Sequence, residues 1–469
     1  MKKLLLTALI LLIGITLFAC AETPAETDVT PTPEVSPTAQ TQDPAPPETP
    51  EEVVRAYAQA LIDGEFAAAN DMMNDEMFAA AAGMGGSEGL AQQLETLYGT
   101  LESVTSAVIR GNTEEYFICT VDIAAENDVL RLQIVVDADN MVAGLQIVST
   151  TDVEDPIPPP PGFVETTVTV DAGVGFPLEG RLVMPDFTDE PIPLVVLVQG
   201  SGALDFDEIV GANRVFNQIA YGLAERGIAS LRYNKRTYEY PETAAAPGFS
   251  VNDEYIDDVI AAAAFARSLD DVGSVYILGH SQGGMLAPAF IAEGADADGM
   301  IILAGSPRSL LDIMDDQQEE LMELNAHLGD DVIDAFREMQ AQFRAGRDAL
   351  AAMTAEEAMD AGMIYGQFPA YYVYTLEQID ALALIRSLAV PTLIMQGSRD
   401  FQVYTDADYQ MYLDGLSGQA YVRFELYPGL NHLFMPSEAN NIGDAMTEYE
   451  TRGEIPAAVF DDIAEWIRG

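Results

Sequence analysis

Between residues 165 and 469, short and nearly continuous apolar runs recur near 194–198, 228–233, 275–278, 300–304, 391–396 and 421–426, separated by stretches with helical spacing. Strands that are apolar on consecutive positions are covered on both faces, so these runs predict a mostly parallel sheet joined by helices, an α/β architecture. Thr166, Val168 and Val170 alternate with polar residues instead, the pattern of an edge strand. After Gly299–Ala304 the helical spacing continues from Ser306 to about Ser387, too long for an ordinary sheet connection, and is expected to form a cap.

The pattern differs upstream. Thr49-Pro50-Glu51-Glu52 supplies an N-cap, a first-turn proline and a capping-box glutamate, and Val53, Tyr57, Ala60 and Leu61 then share one helical face. Segments near 115–123, 128–136 and 141–149 read as three strands, with Asp137-Ala138-Asp139-Asn140 as a tight turn rather than a calcium loop, since no full set of ligands follows. A small α+β domain is therefore expected over 50–151, and Pro156-Ile157-Pro158-Pro159-Pro160-Pro161-Gly162 makes 152–164 a stiff linker. Residues 21–49 are rich in proline, threonine and carboxylates, without lysine or arginine, and are expected to be an extended tether.

Residues 1–20 read as an export signal: Lys2 and Lys3, an apolar run from Leu4 to Phe18, then Ala19-Cys20. Leu17-Phe18-Ala19-Cys20 resembles a bacterial lipobox, which implies lipidation of Cys20 and an extracytoplasmic location, at the cell surface or in the periplasm, with the membrane reached only through that anchor. Cys119 is then the one remaining thiol, expected to be buried in a strand and inert.

Lysine and arginine number 21 against 76 aspartates and glutamates, which excludes nucleic acid and anionic lipid headgroups as partners. The expected cap is strongly acidic as well, which disfavours anionic substrates. Its methionines, Met314, Met322, Met339, Met353, Met359 and Met363, have the spacing of core residues and could alternatively line an adaptable groove.

The chemistry concentrates at Gly279-His280-Ser281-Gln282-Gly283, where the apolar run Val275–Leu278 turns into the helix-patterned Gly284-Met285-Leu286-Ala287. A serine at such a turn projects its hydroxyl above the sheet as a nucleophile. Gly85-Gly86-Ser87-Glu88-Gly89 spells the same pattern without a preceding strand, and reads as a flexible loop.

Only three histidines are available as the base. His280 adjoins the nucleophile and should point away from it, and His327 lies in an acidic helical stretch. That leaves His432, in the loop after the strand near 421–426. Asp400 follows the strand Pro391–Gly397, between serine and histidine in chain order; Asp406 and Asp408 look like the polar face of the next helix. The oxyanion donors are expected from the backbone of Gln282 and of Ser201, or alternatively Gly202, in Gln199-Gly200-Ser201-Gly202.

Taken with Leu231-Arg232-Tyr233-Asn234-Lys235-Arg236-Thr237 and Asn431-His432-Leu433-Phe434, these segments resemble the bacterial α/β-hydrolase esterases of the secreted kind, over about 165–469. The resemblance implies a carboxylesterase that uses no cofactor and takes a small-molecule ester. In that family position 199 is often His and position 234 often Asp, so Gln199 and Asn234 depart from the pattern. Lys235 and Arg236 read as structural ion-pair partners. The region 50–151 resembles the small nuclear-transport-factor-like domains that precede such hydrolases. A peptidase or acyl-aminoacyl hydrolase, and a non-catalytic surface-binding module, are the competing readings.

Overall fold

The computed structural model describes residues 49–74, 77–78, 81, 86–112, 116–126, 129–148, 158–186, 190–246, 248–326, 330–364 and 368–469. The expected export signal, Cys20, residues 21–48 of the expected tether and His327 lie outside them. The chain divides at 150/151 into two compact units.

In the N-terminal unit, helix α1 (Pro50–Asp63) begins at the Thr49 capping box and ends at Gly64, whose φ of 71° closes it with a left-handed cap. Its apolar face, Val53, Val54, Tyr57, Ala58, Ala60 and Leu61, is buried against an antiparallel meander β1 (Leu101–Asn112), β2 (Tyr116–Ala125), β3 (Val129–Asp137), β4 (Val142–Val148). The unit thus has four strands where the sequence pattern shows three. Strand β1 escapes the pattern because its register against β2 shifts at three places, which breaks the alternation of apolar positions.

A second correction concerns Ser87. It is no flexible loop residue: it sits at the start of helix α3 (Gly86–Tyr98, following α2, Phe66–Asp71), fully buried, with its N–H donated to Asn70 Oδ1 at 3.0 Å and its hydroxyl facing Tyr57. At the β3–β4 turn, Asp137 Oδ1 accepts the N–H groups of Asp139 (3.0 Å) and Met141 (2.9 Å), the arrangement of an Asx turn. Cys119 is buried in β2, and burial, helped by the Glu51 charge, pushes its thiol up to about 11.

The C-terminal unit has the α/β-hydrolase fold. Its eight-stranded sheet comprises β5 (Phe163–Val170), β6 (Leu178–Pro185), β7 (Ile192–Val198), β8 (Ala229–Tyr233), β9 (Val272–His280), β10 (Gly299–Leu303), β11 (Thr392–Gly397) and β12 (Val422–Tyr427). Their spatial order is 12-11-10-9-7-8-6-5, parallel from β12 to β8 and antiparallel across β8–β6–β5, with β5 at the edge. Leu194 to Leu197 of β7 are fully excluded from water, each side chain contributing roughly 1.5–3 kcal/mol.

The chain leaves β7 for β8 on one side and reaches β9 on the other. The carboxyl ends of β7 and β9 therefore flank the crevice where the strand order reverses, the place where such sheets build their sites. After the sheet-flanking helices α4 (Val215–Ala224), α5 (Asp257–Arg267) and α6 (Gln282–Ala292), α7 (Leu310–Leu324) lies over it, with α8 (Asp330–Ala351) packed on α7, followed by α9 (Ala355–Asp360) packed on α10 (Ala370–Glu377). The last helix of the expected cap, Ala381–Leu388, instead packs on the sheet-flanking helix Gln282–Ala292, so the cap proper ends near Glu377.

Candidate active site

Strand β9 ends at His280, and Ser281 adopts φ 52° and ψ −116° before the helix begins at Gln282. A serine in this region costs about 1–3 kcal/mol and persists only where its surroundings impose it. Here they do. A Cβ on Gly279 would stand 2.1 Å from the Gly283 carbonyl oxygen, and one on Gly283 would stand 2.5 Å from that of Val198. Two bare backbones thus force strand and helix together, and the bend lifts Ser281 to the end of the sheet.

Asp400 lies just beyond β11 and is buried. Its Oδ1 accepts the N–H groups of Gln402 (2.8 Å) and Val403 (2.9 Å), and its Oδ2 accepts from Gln396 Nε2 (2.7 Å) and meets His432 Nδ1 at 2.7 Å. A carboxylate held by three donors fixes the proton on Nδ1 and leaves Nε2 as the basic nitrogen. The loop bearing His432 is shaped by Asn431, whose Oδ1 accepts from the N–H groups of Leu433 and Met435. It is pinned to the residue before Ser281: His280 Nε2 lies 2.9 Å from the His432 carbonyl oxygen.

The alternative acids lie elsewhere. Asp406 is exposed, whereas Asp408 is fully buried, contrary to its reading as part of a polar helix face. Asp408 accepts from Ser306 Oγ (2.5 Å), Arg308 Nε (2.7 Å) and the Tyr404 N–H (2.6 Å).

After β7 the loop Gln199-Gly200-Ser201-Gly202 is held from several sides. The Gly200 N–H donates to Glu208 Oε1 at 2.7 Å, and the Gly200 carbonyl accepts from Lys235 Nζ (2.8 Å) and the Tyr255 hydroxyl (2.6 Å). Lys235 Nζ also reaches the Gly202 carbonyl at 2.9 Å. With the Gly200 N–H engaged, the next residue, Ser201, lines the cavity together with Ser281 and Gln282. The two departures from the family pattern both brace this region: Gln199 Nε2 donates to the carbonyls of Asp205 (3.1 Å) and Tyr233, and Asn234 Oδ1 accepts the Phe206 N–H at 2.9 Å.

The chain is similar to known proteins. A family model described as serine aminopeptidase, S33, covers residues 210–440. Over 356 residues the chain is 33% identical to esterase EstD of Thermotoga maritima, covering 75% of this chain and 80% of that one. The chain belongs to the α/β-hydrolase family of that esterase. Among solved structures it is similar to Est1E from Butyrivibrio proteoclasticus (20% identity, 65% of this chain and 99% of that one, TM-score 0.38) and to the Pyrococcus furiosus esterase Pf2001 (12% identity, 68% and 98%, TM-score 0.39).

In this hydrolase a buried polar chain joins the cap to the loop Gln199-Gly200-Ser201-Gly202. From α10, the Tyr372 hydroxyl donates to Glu254 Oε2 at 2.5 Å and accepts from Gln282 Nε2 at 2.8 Å. Glu254 Oε1 in turn lies 3.2 Å from Lys235 Nζ and accepts from Thr237 Oγ1 at 3.0 Å. Burial, followed by the Glu254 charge, holds both the Tyr255 and Tyr372 phenols well above 10, so they remain neutral donors. Burial pulls the Lys235 ammonium below its usual value despite the opposing Glu254 charge. Arg236 pairs with Asp258 at 2.6 Å.

The cavity above Ser281, about 130 Å³, is walled by Met285 and, from the cap, Leu310, Ile313 and Met314, with Ser306 and Gln317 among its polar members; none of the described residues lining it is charged. Met314 thus serves as a groove residue, while Met359 is exposed. Sequence reasoning missed Glu208, Glu254, Tyr255 and Tyr372. Only Glu208 left a signal: it closes the acid-rich segment Asp205-Phe206-Asp207-Glu208 two residues after the loop 199–202, and buried His280 needs an acidic partner.

Proposed function

We propose that the chain is a serine carboxylesterase that cleaves short, uncharged esters through an acyl-enzyme on Ser281. The observation that supports this reading is the Asp400–His432 pair, tied through His280 to the strained Ser281 elbow, with Ser281 itself at a cavity whose described lining is uncharged. His432 Nε2 takes the hydroxyl proton as Ser281 Oγ attacks the ester carbonyl, and Asp400 stabilises the imidazolium that forms. The Gln282 and Ser201 N–H groups receive the developing oxyanion. Collapse expels the alcohol, which takes the proton from His432. Water, deprotonated by the same imidazole, then releases the acid.

The description serine aminopeptidase raises the competing reading. A peptidase that binds a free amino terminus needs an acidic group to meet the ammonium, and the uncharged lining favours esters instead. The acidic surface around the cap disfavours polyanionic thioesters. We further propose that Cys20 is lipidated, placing the enzyme outside the cytoplasm on a polar tether, with residues 50–151 as an accessory domain.

Labelling with a small fluorophosphonate followed by peptide mapping tests the mechanism, with modification expected at Ser281 and nowhere else; no label, or label at Ser87, overturns it. Specificity constants for p-nitrophenyl acetate, butyrate and palmitate test the substrate class. Palmitate fastest would overturn the short-chain reading.

A further inference from the structure

A second histidine–carboxylate pair lies beside the first. His280 is buried, and both of its ring nitrogens face oxygens: Nδ1 lies 2.9 Å from Glu208 Oε1 and Nε2 lies 2.9 Å from the His432 carbonyl oxygen. The carbonyl is only an acceptor, so Nε2 must carry a proton, and a bare Nδ1 would set one lone pair against another. Glu208 Oε1 already accepts the Gly200 N–H at 2.7 Å, so the same oxygen faces a backbone donor and the His280 ring together. Its partner Oε2 is buried with no hydrogen-bond partner among the described residues, so the carboxylate depends on adjacent positive charge.

We propose that His280 is a buried imidazolium at neutral pH, a positioning residue that ties the backbone of the general base to the oxyanion loop through Glu208. The inference rests on Ser281, His432 and Asp400 being the triad. One charged ring thereby sets two separations at once: that of His432 from the serine next to His280, and that of the Gly200–Ser201 peptide from the same serine. Loss of its proton turns the contact at Nδ1 or Nε2 repulsive and loosens both loops together.

The groups acting on the ring are Glu208 from the loop after β7, Asp400 from the loop after β11 and the His432 ring, with centroids 4.8 Å apart; the Lys235 ammonium acts on the same Glu208 carboxylate. Burial pushes the His280 imidazole down, but the Glu208 charge and hydrogen bond, the His432 carbonyl and the Asp400 charge outweigh it, and it titrates above its ordinary value.

The chain has only three histidines, so the full-length protein labelled with ¹³C at histidine Cε1 gives a readable titration. One resonance is expected to stay at the imidazolium position above the ordinary histidine range and to be missing from His280→Gln. The alkaline fall of kcat/KM on p-nitrophenyl butyrate is expected at the pH where that resonance moves, and Glu208→Gln should lower both together. A merely structural role would not make them move together. If all three imidazoles are neutral at pH 7.5, or if the resonance and the activity limb separate in wild type or in Glu208→Gln, the proposal is overturned. Should the variants not fold, the wild-type titration decides by itself. Fluorophosphonate labelling of the same sample reports separately on whether Ser281 is the nucleophile.

Discussion

Gly200 faces Ser281 so closely that a Cβ added to the glycine would stand 3.0 Å from the serine Cβ and 3.3 Å from Glu208 Oε1. The oxyanion loop and the nucleophile are thus packed backbone against side chain, and their spacing is set by the absence of a methyl group. Gly200→Ala is expected to push the two apart by a few tenths of an ångström and to lower kcat on short esters by about a hundredfold, since misplaced oxyanion donors cost roughly 3 kcal/mol. Fluorophosphonate labelling should slow in parallel. Wild-type kcat would show that the loop yields without consequence.

The Tyr372 hydroxyl serves Gln282 and Glu254 at once. Tyr372→Phe leaves both partners buried without it, so we expect a loss of about 1–3 kcal/mol in urea denaturation. Because Glu254 also holds Lys235 against the oxyanion loop, kcat should fall more than KM rises. An equal effect on binding and turnover would place Tyr372 in substrate binding instead.

Ser281→Ala and His432→Ala should each cut ester hydrolysis by a thousandfold or more, and the double variant should be little worse than either, as for residues that act as a unit. Ser87→Ala is the control. It removes a buried hydroxyl in the other unit, so stability can fall while kcat/KM holds. Residual activity above a tenth in Ser281→Ala refutes the assignment.

Asp205 carries the pH prediction. Burial, with the Asp207 charge added, lifts its carboxyl from 3.8 to about 6 against the opposing Ile209 N–H and Arg214. Since the folded value exceeds the unfolded one, the favourable contribution is complete below about pH 4. It is lost as pH rises through about 6. Asp205→Asn keeps an acceptor for the Asp207 and Ile209 N–H groups. It should stabilise the chain at pH 8 by roughly 1–3 kcal/mol and have no such effect at pH 4. Thermal melts at the two pH values check it.

Cys20→Ser should move the protein from the membrane fraction to the soluble one, since a polar tether has no other hold on a bilayer. Retention in the membrane fraction would point to an uncleaved apolar segment.

What was legible in the sequence follows a physical divide. Strands covered on both faces, such as Leu194–Val198 and Thr392–Gly397, announce themselves as unbroken apolar runs, and the turn from Leu278 to Gly284 writes the elbow in consecutive residues. Strand β6 is half solvated and carries Glu179 and Arg181, so its pattern is diluted. Helix α3 is hidden by the glycines around Ser87. Asp408 looks like a surface carboxylate until Ser306 and Arg308, about a hundred positions away, are folded onto it. Glu208 and His280 meet across 72 positions. Periodicity reports which side of an element is wet; it says nothing about which buried charges meet.

The elbow has one further consequence. A backbone at φ 52° and ψ −116° suits glycine better than any residue with a side chain. A stability screen blind to activity would therefore select glycine at position 281 and return a sturdier, inert protein. The fold and the chemistry compete for this single position, and the rest of the sheet must be stable enough to let the serine win.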